Sequence, residues 1–131
     1  DKDAIEWIQE LNDMFQDLRT SENREKEITQ YKRIVNLLKK YNPKLIILHG
    51  SRVNLIDQID VTSDIDLIIV SDIFQYVDFI TRLRYSKNLL NKHNIQKVDL
   101  LCLTEKEFCW NLNRKRPIFK SLQKGFRVLF K

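Results

Sequence analysis

Residues 45–52, Leu-Ile-Ile-Leu-His-Gly-Ser-Arg, and residues 63–70, Ser-Asp-Ile-Asp-Leu-Ile-Ile-Val, decide how this chain folds. Leu45 to Leu48 is a short apolar run that ends at His49 and Gly50, the pattern of a buried strand with a sharp turn at its end. Leu67 to Val70 is a second run, rich in β-branched residues, and reads as a second strand. Asp64 and Asp66 open it. Side chains at i and i+2 on a strand share a face, so both carboxylates project together. If the two strands are neighbours, that face lies beside Gly50 and Ser51. Like charges held this close raise each other's pKa. A hard divalent cation such as magnesium relieves them, because it takes oxygen ligands from one or two carboxylates and from substrate phosphates.

Outward from this stretch, strand and helix patterns alternate. Ile73, Val77, Ile80, Leu83 and Leu90 lie at helical spacing and predict a helix from Ile73 to Asn91. Gln96 to Leu103 reads as a strand. Thr104 is a candidate N-cap, with Glu107 three residues on completing a capping box for a helix over 105–113 that buries Phe108 and Leu112. Pro117 suits the first turn of a last helix carrying Phe119 and Leu122, and Gly125 suits its left-handed end. Phe126 to Phe130 reads as a closing edge strand. On the other side, Ile28, Tyr31, Ile34, Val35, Leu37 and Leu38 line a helix with Ser21 as candidate N-cap, which stops before Pro43. Ile5, Ile8, Leu11, Phe15 and Leu18 place another helix over 3–19. The polar stretch 20–23 either separates the two or merely interrupts one longer helix. The expected class is α/β (α+β): a small mixed sheet with helices packed on it. A helical N-terminal extension, 1–43, precedes a domain over 44–131.

The third acid of interest is Asp99. It interrupts the apolar run Val98, Leu100, Leu101, Cys102, Leu103, and a carboxylate in a buried strand needs a partner or a metal. Asp57 and Asp60 are rival acids in the loop 50–63, but neither leads into an apolar run and both read as solvated. Alone, Asp-x-Asp is equally well the solvent-facing start of a strand, and Gly50-Ser51 is equally well a plain turn. Together with Asp99 they read as a site in which backbone amides and the Ser51 hydroxyl approach phosphate oxygens. The chain contains only two glycines, which excludes the Walker and dinucleotide-binding loops.

These residues resemble the DNA polymerase β-like nucleotidyltransferases, and among them the minimal, stand-alone members of bacteria and archaea. The likeness rests on His49-Gly50-Ser51, on Ser63-Asp64-Ile65-Asp66-Leu67, on Lys97-Val98-Asp99-Leu100-Leu101, and on the closing helix–Gly125–strand stretch, and covers about residues 44–131. It implies a nucleotidyltransferase fold. It also implies transfer of a nucleoside monophosphate, AMP from ATP or another nucleoside triphosphate, to a hydroxyl acceptor. Asp64, Asp66 and Asp99 would then be the catalytic and metal-holding residues for two magnesium ions. Gly50, Ser51 and Arg52 would be the nucleotide-binding residues, although Arg52 is as well read as a surface arginine. Minimal members often act as antitoxins with an all-helical partner of the HEPN family, which they modify. This chain departs from the family's Gly-Ser-Arg-Ala-Arg-Gly turn: it reads Gly50-Ser51-Arg52-Val53-Asn54-Leu55, without the second arginine and the glycine, and its loop is longer. The rival expectation is therefore a catalytically silent nucleotide- or protein-binding module.

Composition narrows the partners. The 131 residues suit one domain with one core. No apolar run approaches a membrane span and no secretory signal is visible, so a cytoplasmic protein without membrane contact is expected. Cys102 and Cys109 lack zinc or disulfide spacing and read as reduced thiols. The net charge of +5 favours anionic partners. Residues 111–131 hold Arg114, Lys115, Arg116, Lys120, Lys124, Arg127 and Lys131 with no acid. That face is either simply solvated or suited to a triphosphate or an RNA. His93 reads as solvated, and His49 as lining the strand end. Trp7, Phe15, Ile28 and Tyr31 belong to two apolar stripes that are expected to leave a strip for a homodimer or a helical partner, with Trp7 as the anchor.

Overall fold

Leu45–His49 forms strand β1, and its first four side chains are fully buried. The computed structural model describes residue 5, residues 21–54 and residues 64–131. In chain order the described elements are helix α1 (Ser21–Leu38), β1, the one-turn helix α2 (Ser51–Asn54), β2 (Ile65–Val70), α3 (Phe79–Lys92), β3 (Val98–Leu103), α4 (Glu105–Asn113), α5 (Pro117–Gln123) and β4 (Arg127–Phe130). The four strands make one mixed sheet in the order β3-β2-β1-β4. β1 runs antiparallel to both β2 and β4, and β2 runs parallel to β3 through the α3 crossover. This is the small mixed sheet with packed helices that the alternation of patterns predicts.

Strand alternation divides the core into two faces. On one face Ile46, Leu48, Leu67, Ile69, Leu100 and Cys102 pack against Tyr31, Ile34, Val35 and Leu38 of α1 and against Leu90 of α3. On the other, Leu45, Ile47, Ile68, Val70 and Leu103 pack against Phe108 and Leu112 of α4, Leu122 of α5, and Phe126. The stripe read from Tyr31 to Leu38 is thus the buried side of α1, and α1 is part of the same core as the sheet. Arg33 of α1 also donates to the carbonyl of His93 at the end of α3 (2.5 Å), a cation where the helix dipole is negative. His93 is exposed, as expected. Ile5 is helical and packs beside the second cluster. The rest of the helix expected over 3–19, with Trp7 and Phe15, lies outside the described residues, as do Asp57 and Asp60.

The capping box is present as read. Thr104 Oγ1 accepts from the Glu107 amide (3.2 Å), and Glu107 accepts from the Thr104 amide (2.8 Å). Pro117 opens α5, and Gly125, at φ +135°, follows its last turn. Both cysteines are free thiols, Cys102 buried and Cys109 half-buried.

Two expectations need correction. The helix placed from Ile73 begins only at Phe79. Ile73 and Ile80 are exposed, so their helical spacing was coincidental. Asp78 sets the start: its carboxylate accepts from the Thr81 amide (2.8 Å) and hydroxyl (2.7 Å), and the preceding residues 72–74 form a 3₁₀ turn. The loop after β1 also starts with structure. Gly50 turns at φ +80°, its carbonyl accepts from the Val53 amide (3.2 Å), and residues 51–54 close one helical turn.

Candidate active site

Three strand ends meet at one corner of the sheet. In register, His49 of β1 stands opposite Asp66 of β2, and Asp66 stands opposite Asp99 of β3. Side by side, these three share the face that further along carries Ile47, Ile68 and Leu101, the face covered by α4 and α5. Asp64 precedes β2, exposed, two residues before Asp66. The pairing of β1 with β2 therefore brings the acids beside the Gly50 turn, as the sequence suggests.

The approach at Gly50 is close. A Cβ built there would collide with the Asp66 carboxylate oxygen and lie 3.2 Å from its Cγ, at a φ that side chains rarely adopt. Glycine alone takes this position without backbone strain and without displacing the Asp66 carboxylate. The carboxyl of Asp66 is half-buried against this turn. Burial raises its pKa first, and the carboxylates of Asp99 and Asp64 push it further the same way. Asp66 therefore sits in surroundings that favour either a proton or a cation.

His49 closes the site on the side of α5. Its Nδ1 lies 2.8 Å from Ser121 Oγ, and burial lowers its pKa, which favours the neutral ring. Nothing in the sequence singles out Ser121. A lone serine on a short helix carries no pattern, and only the packing of α5 on the sheet reveals it.

The other expected residues fall differently. Ser51 is exposed at the start of α2. Arg52 is neither a surface arginine nor open to solvent: it is 1% exposed and donates to Gln30 Oε1 of α1 (3.4 Å). It ties the Gly50-Ser51 turn to the helix behind it. Asp99 is exposed rather than buried. Its neighbours Val98 and Leu100 point into the core, and Asp99 takes the opposite face at the strand's open end.

Among the described residues no three His, Cys, Asp or Glu side chains form a ready-made metal cage. The donor set nonetheless suits magnesium. Its ligands are hard carboxylate oxygens, one of them destabilised by like charge, and this ion is ordinarily held by one or two carboxylates together with substrate phosphates. No helix among the described residues is long and apolar enough to cross a membrane.

No curated protein matches the chain. Among solved structures it is similar to the BolA domain of SufE1 from Arabidopsis thaliana, at 24% identity and a TM-score of 0.46, covering 60% of this chain and 94% of that one. It is also similar to a protein from Sulfolobus solfataricus described as a candidate nucleotidyltransferase, at 22% identity and a TM-score of 0.41, covering 63% of this chain and 78% of that one. Likenesses this low bear on neither fold nor function. The model of the family described as "Polymerase beta, Nucleotidyltransferase" matches residues 32–123, from inside α1 to the end of α5 and across every residue of the acid corner. The chain belongs to the polymerase β-like nucleotidyltransferase family.

Proposed function

We propose that this protein is a magnesium-dependent nucleotidyltransferase that moves AMP from ATP to a hydroxyl on a protein or RNA acceptor. The observation that carries the reading is the Asp66 carboxyl, pressed against Gly50 and pushed up in pKa by burial and by Asp99 and Asp64. A fold retains such a destabilised acid where an external cation offsets it. Asp64, Asp66 and Asp99 would hold the divalent ions. Bound magnesium would supply charge neutralisation at the attacking and leaving oxygens. The Gly50 and Ser51 amides and the Ser51 hydroxyl would hold the triphosphate, with Arg52 anchoring the turn from behind. The acceptor oxygen attacks the α-phosphorus, the bond to the bridging oxygen breaks, and pyrophosphate leaves. His49, fixed by Ser121, would line the side of the site next to Asp66.

Residues 44–131 contain every group in this proposal. Residues 1–43 would serve as a helical extension, with α1 covering the sheet and the remainder offering a surface for a helical partner or a second copy. An antitoxin role with a HEPN-type partner is part of the same proposal, supported by the resemblance to minimal members.

The test is transfer of label from α-labelled ATP to candidate acceptors with magnesium. Label should move with the wild type and not with Asp66→Asn, which keeps the shape and removes the charge. Transfer that survives this change would sink the site. ATP binding that is equally tight with and without magnesium, together with no turnover, would favour the silent binding module.

A further inference from the structure

A second surface lies at the other end of the sheet. β2 and β3 span roughly 20 Å at about 3.3 Å per residue, with the acid corner where they begin and this surface where they end. Two adjoining grooves, about 960 and 560 Å³, share Lys106, Glu107 and Trp110. Three aromatic side chains stand out along them: Tyr76 is 96% exposed, Phe79 48% and Trp110 44%. Tyr76 also sits at φ +68°, a left-handed conformation that a bulky side chain rarely takes. Its ring is thus held in water by a strained backbone, with no packing in return.

The charges on this surface do not cancel. Its acids are already matched from within the chain: Lys44 contacts Asp72 (2.8 Å) and Glu105 (2.6 Å), and Arg82 contacts Glu107 (2.6 Å). Arg114 and Arg116 instead lie over the Trp110 ring, with their guanidinium carbons 4.6 and 5.4 Å from its centroid, and neither has an ion-pair partner among the described residues. Lys106 adds a third cation on the rim. Two guanidinium groups held over one indole without a carboxylate beside them leave positive charge for an outside anion to neutralise.

We infer that this surface, centred on Trp110, Arg114, Arg116 and Tyr76, binds single-stranded nucleic acid. Exposed rings and guanidinium planes stack any base, and free cations follow the phosphates. The smaller groove is lined by Leu101 and Leu103, which alternate onto the same face of β3 as Asp99, so a bound strand is directed along the sheet edge toward the acid corner. This names one acceptor class for the transfer proposed above. It rests on that reading only for the transfer step, because binding needs neither nucleotide nor metal.

Fluorescence anisotropy of the full chain with a labelled single-stranded RNA 12-mer, a matching duplex and an acidic peptide, without ATP or magnesium, tests it. The single strand should bind tightest. Trp110→Ala should weaken it on the order of 5- to 150-fold, the loss of one stacked base. Replacing Arg114 and Arg116 with Gln should lower the salt slope by about 1.4, at about 0.7 for each of two phosphate contacts. Tyr76→Asn separates binding from folding: asparagine tolerates this φ, so Tm should hold or rise while binding weakens. No binding, equal binding of the duplex, preference for the peptide, or binding unchanged in all of these variants overturns the inference. A chain that binds the single strand but transfers nothing keeps this inference and removes the transfer reading. One that labels another acceptor and binds no RNA does the reverse.

Discussion

The two ends of the β2–β3 pair both carry clustered acids, and they treat them in opposite ways. Where the strands end, Asp72, Glu105 and Glu107 meet Lys44 and Arg82. The Lys44 ammonium holds Asp72 below the usual carboxylate range. Burial alone would raise Glu107, but Arg82 and the Thr104 amide outweigh it and hold Glu107 low as well. Where the strands begin, burial, Asp99 and Asp64 all push Asp66 upward. An acid matched from within the chain serves the fold. An acid surrounded by like charge is one that a bound cation would relieve. Composition cannot separate the two kinds, since both ends are rich in Asp and Glu. The partner each carboxylate meets is what separates them.

The strongest way to break this contrast is Asp66→Asn. Several kcal/mol of transition-state stabilisation should vanish, which is about three decades in transfer rate. The same variant should fold better. A carboxyl whose folded pKa is raised contributes stability that is present below its ordinary pKa and is lost as pH rises through the folded value. Near neutral pH the variant should therefore melt above the wild type, and below the carboxylate range the two should converge. Thermal melts across pH check this, and a variant that melts lower at pH 7 would contradict it.

Gly50→Ala comes next. It should cost about 1–3 kcal/mol from backbone strain, and it displaces Asp66 besides, so denaturant unfolding and transfer should both suffer. At the matched end, Glu107→Ala removes a capping-box member and the partner of the largely buried Arg82. With its own side chain partly exposed, the loss should be about 1–2 kcal/mol, read by denaturant unfolding. The pH response should also be opposite to that of Asp66. Asp72 and Glu107 are held low, so their contribution is present above the ordinary carboxylate pKa and fades as pH falls. The smallest effect belongs to Lys44→Gln. Its two ion pairs are open to water, and Tm should barely move in moderate salt.

Much of this was legible in the sequence because it is local. The Thr104-x-x-Glu107 box, Pro117, Gly125 and the apolar runs of β1, β2 and β3 each carry their own rule, and the structure places them as read. Asp64, Asp66 and Asp99 were legible as acids set against apolar strands. Ile73 and Ile80 misled because periodicity counts positions and cannot see that Asp78 offers a better start five residues on. The burial of Arg52 and the part played by Ser121 were not legible. Arg52 is buried against α1 and Ser121 abuts His49, and both facts depend on how helices dock on the sheet.

The parallel register that sets Asp66 beside Asp99 also bears on how the chain avoids misfolding. A slip of β3 by one residue would turn Leu101 and Leu103 away from α4 and drive Asp99 into the layer beneath α1 and α3. An unpaired carboxylate there would cost several kcal/mol. Strands joined by a long crossover find each other late in folding, when wrong alignments compete most. Asp99 penalises those alignments, so the carboxylate proposed for the site would also proofread the pairing that sets it beside Asp66.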